Sequence, residues 1–159
     1  MLTTSLPPAE LVGKLITGLV GRPTTVDRMP AAALDLNQPS TVAAYIQDNG
    51  MMASVIVSDL ALSASGGAAL ALIPPGAVQD AVGSGSLPDS LAENYREIVN
   101  VAARLFNRPN TPHVRLRDMH ITPEMLPADV SNVISGATER LFVEVQVEGY
   151  PLGKMWLFA

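Results

Sequence analysis

Cysteine is absent from this chain of 159 residues, which excludes a disulfide framework and any thiolate-held metal centre. Charge is sparse too. Asp, Glu, Lys and Arg make up 16% of the residues, with 15 carboxylates against 10 Lys and Arg and a formal net charge of -5. No stretch gathers the basic residues into a stripe or patch, so binding to nucleic acid is not expected. Long hydrophobic runs are also missing. Residues 11–20 are apolar, but Glu10 precedes them, Gly13, Lys14 and Gly18 interrupt them, and no basic leader comes first. That is too short and too poorly flanked for a membrane span or a secretory signal. The expectation is a cytoplasmic protein without a membrane partner.

Aromatic residues are scarce at 4%, yet 48% of the chain is hydrophobic, mostly small Ala, Val and Leu, and Gly and Pro number 12 and 13. This composition suits one compact domain with many turns, spanning residues 1–159. Leu11, Leu15, Ile16, Leu19 and Val20 recur at helical spacing after Pro7 and Pro8, up to Gly21, and predict a first helix. Residues 24–37 read as a connection with one short strand. Residues 42–47 and 53–59 read as strands joined by Asp48, Asn49 and Gly50, a hairpin signal. Residues 68–73 form a continuous apolar run between a Gly pair and Pro74-Pro75-Gly76, which reads as a strand buried on both faces. A short helix over 77–82 and a loop over 83–87 follow.

The clearest periodicity lies between Pro88 and Asn107. Leu91, Tyr95, Ile98, Val99, Ala102, Leu105 and Phe106 share one half of a helical cylinder, and Glu93, Glu97, Asn100, Arg104 and Asn107 share the other. Ser90 and Glu93 have capping-box spacing, and Pro109 and Pro112 stop the helix. Residues 113–122 read as a strand and 127–134 as a short helix. Val143, Val145 and Val147 alternate with Glu144, Gln146 and Glu148, and a turn over 149–153 leads into a last strand over 154–158. Connections this short favour an α+β fold: a mixed, mainly antiparallel sheet with two longer helices packed against it.

Among the seven glutamates only Glu97 has an asparagine three positions later, Asn100, and twenty-two residues separate Asn100 from Pro123. On a helix the i, i+3 spacing sets the carboxylate and the amide side by side. Glu-x-x-Asn followed at that distance by Pro resembles the signature of the CheC/CheX/FliY family of chemotaxis phosphatases. The order of elements over 40–158 resembles that family as well, and residues 7–21 correspond to its first helix. Four residues before the glutamate the family carries Asp or Ser, where this chain has Glu93.

The resemblance implies a CheC/CheX-like fold and a phosphatase that removes the aspartyl phosphate of a CheY-like response regulator. In that reading Asn100 orients the attacking water, Glu97 pairs with the regulator's lysine, and Glu93, Arg104 and Pro123 serve binding. It implies no cofactor of the chain's own, with Mg²⁺ on the regulator partner. The first helix carries no second motif, since Glu10 is followed by Leu11, Val12 and Gly13. The CheX-like branch, with one site per chain and a homodimer, is the implied relative. The alternatives are a CheC-like module that binds a signalling protein without hydrolysing anything, and a structural subunit of a flagellar switch. His113 and His120 lie seven apart on one strand, on opposite faces unless a bulge intervenes, so no metal site is expected. Arg115 and Arg117 read as a solvated strand face, and Gly83 and Gly85 as a flexible turn, since no Lys follows to make a phosphate loop.

Overall fold

A computed structural model describes residues 3–30 and 33–159. The elements run α1 (Ala9–Val20), β1 (Thr24–Arg28), β2 (Ser40–Gln47), β3 (Met52–Asp59), α2 (Leu60–Leu70), α3 (Pro75–Ser84) and α4 (Asp89–Val101). A 3₁₀ turn (Ala102–Leu105) follows, then β4 (Val114–Thr122), α5 (Ala128–Gly136), β5 (Arg140–Val147) and β6 (Gly153–Phe158). The short strand expected within 24–37 is β1. Residues 31 and 32 of that connection lie outside the described residues.

The six strands form one sheet in the order β1-β5-β6-β3-β2-β4, with every neighbouring pair antiparallel. The two expected hairpins are present. Gly50 closes β2–β3 at φ 84° and Gly149 lies within the β5–β6 turn at φ 86°, a conformation glycine adopts without a Cβ penalty. In β5 the alternation read from the sequence is burial itself: Leu141, Val143, Val145 and Val147 are buried while Gln146 is exposed. Strands β2 and β3 lose that alternation because both of their faces are covered.

On one face lie α1, α2 and α4 over a large core that includes Ile16, Tyr45, Ile56, Leu62, Tyr95, Ile98 and Phe106. On the other a smaller cluster of Val42, Val55, Val57, Val130 and Phe158 is covered by α5 and by Leu34 and Leu36. In β4 the register against β2 shifts between Ala44 and Tyr45, whose partners are Asp118 and Leu116. Arg117 is the extra residue of this bulge, which turns the strand over. Leu116 packs against the helical core, while Asp118 lies opposite Ala44, which belongs to the smaller cluster.

Two expectations are corrected. Residues 68–73 are not a strand: 68–70 complete helix α2, and the rest is the turn that follows it. The Asp59 carboxylate accepts the Leu62 N–H at 2.9 Å and starts this helix. Because every residue from Leu62 to Ala69 is buried, the helix shows no polar stripe, and the signal that separates helix from strand is lost. The Gly66–Gly67 pair that precedes this run is inside the helix, where a Cβ on Gly66 would come within 2.8 Å of the Tyr95 ring. The second correction concerns the motif helix. Its N-cap is Pro88 rather than Ser90, with no side-chain cap bond, and its last turn tightens to 3₁₀ from Ala102. The fold therefore has three helices longer than ten residues, α1, α2 and α4, not two.

Candidate functional site

Helix α4 is held from beneath by its apolar half. Leu91, Tyr95, Ile98 and Val99 are buried against the sheet and α2. The Tyr95 hydroxyl shares a 2.6 Å hydrogen bond with Ser58 Oγ on β3, and the Tyr45 hydroxyl of β2 donates to the Val99 carbonyl at 2.6 Å. Burial in the apolar interior pushes both phenols well above their ordinary range, Tyr45 further raised by Tyr95 beside it, so both hydroxyls stay neutral. At the side of the helix Asn94 Nδ2 donates to the Gly67 carbonyl of α2 at 3.1 Å. Beyond its end, Asn107 brackets Val114 with bonds of 2.9 and 2.8 Å and fixes where β4 begins.

This clamping leaves one face of the helix outside. Glu93, Glu97, Asn100 and Arg104 are all exposed, and none of their side chains makes a hydrogen bond or ion pair among the described residues. The i, i+3 spacing places the Glu97 carboxylate and the Asn100 amide as neighbours on that face. Arg96, also exposed, lies on the same face and was not singled out by the motif. Its signal was available in the helical periodicity, since it stands one residue before Glu97 and four before Asn100.

Pro123 is exposed and follows a cis peptide bond in the turn after β4. That turn is tied by Glu124 N–H to the Ile121 carbonyl at 3.3 Å, and among the described residues no hydrogen bond links it to α4. The fold thus brings Glu93, Glu97 and Asn100 onto one face of α4 and Arg104 onto the 3₁₀ turn that continues it, with Pro123 on a separate loop.

Chemically, the face offers an anion, an amide that donates and accepts at once, and guanidinium groups beside them. It holds no nucleophile paired with a base. The principal clefts of the described residues are lined by other parts of the chain. The pair presents its groups outward. Among the described residues no group of three or more His, Cys, Asp or Glu side chains is placed to hold a metal ion. His113 meets Asp48 at 3.1 Å, and His120 lies 3.8 Å from Asp118 and Glu124, so the two histidines have separate surroundings. Arg117 is not a merely solvated strand residue. It bridges Asp118 at 2.7 Å and Asp129 of α5 at 2.6 Å, and the guanidinium holds the Asp129 carboxyl below the usual carboxylate range. No described helix is long and apolar enough to cross a membrane.

No family model and no curated protein matches the sequence. Solved structures do match the fold. FliM in the FliM–SpeE complex from H. pylori superposes with TM-score 0.64 at 7% identity, over 94% of this chain and 80% of that one. FliY of Thermotoga maritima gives TM-score 0.53 at 12% identity, over 92% and 80%. The CheX–CheY–BeF3–Mg²⁺ complex from Borrelia burgdorferi gives 0.50 at 8% identity, over 94% and 92%. At these identities the likeness is one of architecture: the chain has the fold of the CheC/CheX/FliY family, α+β with an antiparallel six-stranded sheet.

Proposed function

We propose that the chain is a phosphatase acting on the aspartyl phosphate of a CheY-like response regulator in the cytoplasm, through the exposed face of α4. The observation that carries this reading is the pair Glu97 and Asn100, adjacent, outward and uncommitted on a helix clamped from below, within a fold shared with CheX and FliY. In it the helix enters the regulator's cleft. Glu97 pairs with a lysine there, and the Asn100 amide fixes a water in line with the phosphoryl group, whose Mg²⁺ belongs to the regulator. Such chemistry needs positioning and charge stabilisation more than a covalent intermediate, which suits a face without a nucleophile. Glu93, Arg96 and Arg104 around the pair set the charge of the contact surface.

The test mixes purified protein with a phosphorylated CheY-like receiver domain and follows phosphate loss. Acceleration by the wild type, reduced roughly 100-fold in Asn100→Ala as for other misplaced catalytic groups, supports the reading. Equal decay with and without the protein removes it.

A second reading is a module that binds a signalling or switch protein without hydrolysis. It is favoured by the FliM structures, in complex with SpeE and with FliG, which superpose better, at TM-scores of 0.64 and 0.57, than the CheX complex does. Binding to the receiver domain with unchanged phosphate loss would select it. A homodimer of the CheX-like kind accompanies the first reading and is checked by sedimentation.

A further inference from the structure

The sheet face opposite α4 carries a cleft that the proposed phosphatase reading does not use. Its volume is about 570 Å³, within the range of small-molecule sites. Its floor is the β5–β6 strand pair, where the rings of Phe142 and Trp156 stack 5.0 Å apart at 9°, continued by Phe158. Leu34 and Leu36 form one wall, and Ile134 of α5 the other. Arg28 and Arg140 stand at the end of this apolar trough and belong equally to a second, more polar cleft of about 460 Å³, lined also by Arg108, Glu139 and Pro7–Pro8 at the start of α1. The two hollows share a wall made of Arg28, Arg140 and Leu141.

The charges in that wall are unusual for this chain. Acidic residues outnumber Lys and Arg by 15 to 10, yet Arg28 and Arg140 of the wall and Arg108 beyond it all line the polar cleft, and among the described residues none of them is ion-paired. Among the described residues Arg28 makes no side-chain hydrogen bond. Arg140 gives one, to the Ser135 carbonyl at 3.0 Å, and its guanidinium lies 5.6 Å from the Phe158 ring centre. Arg108 is spent on Ser5 Oγ and the Leu6 carbonyl, both at 2.7 Å, and adds positive charge to the polar cleft. Glu139 is the single carboxylate side chain lining the polar cleft. An aromatic-floored trough that ends on uncompensated guanidinium groups complements a molecule with an aliphatic chain and an anionic head.

We propose that this two-part cleft binds a free amphipathic carboxylate, its aliphatic chain lying against Phe142, Trp156 and Phe158 and its head group held by Arg28 and Arg140. Because Arg28 and Arg140 line both hollows, the head lies at the boundary with the polar cleft rather than inside the trough. The aromatic trough is on the far face of the sheet from Glu97 and Asn100, and neither residue lines either hollow.

Trp156 is the only tryptophan, so its emission reports on the trough directly. Dodecanoate titrated into the full chain below its micelle concentration is expected to change that emission saturably. Shortening the probe by two carbons should weaken binding roughly tenfold, as the loss of two buried methylenes dictates. Arg28→Ala and Arg140→Ala should each weaken dodecanoate roughly tenfold, the loss of one charge-assisted hydrogen bond. Dodecylammonium, with the same tail and the opposite charge, should bind more weakly still. The inference is overturned by an absent or non-saturating response, by dodecylammonium binding as well as dodecanoate, or by Arg28→Ala leaving the affinity unchanged. Arg28 is exposed and has no side-chain partner among the described residues, so its variant is expected to fold, and an unchanged circular dichroism spectrum checks that.

Discussion

Gly67 fixes how closely α2 and α4 approach, and an alanine there tests the packing that positions the α4 face. Gly67 lies inside α2, where glycine ordinarily weakens a helix by about 1 kcal/mol relative to alanine, so Gly67→Ala would stabilise the protein if only helix propensity counted. The structure reverses that sign. A Cβ at this position would overlap the Leu91 carbonyl oxygen of α4 and sit 3.1 Å from its carbon and 3.2 Å from Cα. These are backbone atoms and have no rotamer to escape to. Forcing a methyl into a packed contact costs about 1–3 kcal/mol, and a backbone obstacle puts the cost near the upper end. Subtracting the propensity gain leaves a net destabilisation of about 2 kcal/mol. For a domain of this size that is a fall in Tm of about 4–8 °C.

Gly18→Ala is the matched control, because Gly18 is also helical but has nothing within 4 Å of its would-be Cβ. It should gain about 0.5–1 kcal/mol. Urea unfolding followed by far-ultraviolet circular dichroism, analysed by linear extrapolation, reads both. A Gly67→Ala protein as stable as the wild type, or a loss of the same size in Gly18→Ala, would refute the account of α4 resting on a glycine seat.

Tyr95→Phe leaves the fully buried Ser58 hydroxyl without the Tyr95 partner and should cost about 1–3 kcal/mol in urea unfolding. Adding Ser58→Ala should then cost much less than it does alone, the non-additivity expected of a shared bond. Asp59 is raised above the ordinary carboxylate range by burial, despite the backbone N–H groups of Leu62 and Lys154 that bond it. A raised folded-state value means that its contribution favours the native state at low pH and is lost as pH rises through that value. Asp59→Asn keeps the oxygen that caps α2 and removes the titration. Its stability relative to wild type should therefore increase from acidic to neutral pH, and a difference that stays flat or falls contradicts the assignment.

Much of this molecule is legible in the residue order because its signals are local. The alternation at Val143, Val145 and Val147 is a period-two pattern that survives as burial. Asp48-Asn49-Gly50 is turn chemistry that closes a hairpin whatever surrounds it. The outward placement of Glu97 and Asn100 follows from their phase against Leu91, Tyr95 and Ile98 on one helix. Helix α2 failed to declare itself because burial all round removes the polar half from which helical phase is read. A run of Ala and Leu with two glycines then matches a covered strand equally well.

By itself, then, the sequence determined the elements with a wet side and a dry side, the motif on α4 and the absence of thiol chemistry. Tertiary structure alone decided what depends on residues far apart in the chain. It set the two glycines of α2 against Tyr95 and Leu91, the bulge at Arg117 that turns β4 over, and Arg28, Arg108 and Arg140 around one polar cleft. Helix and strand periods are written in neighbouring positions, whereas the distance between two surfaces is fixed only when a whole core closes between them.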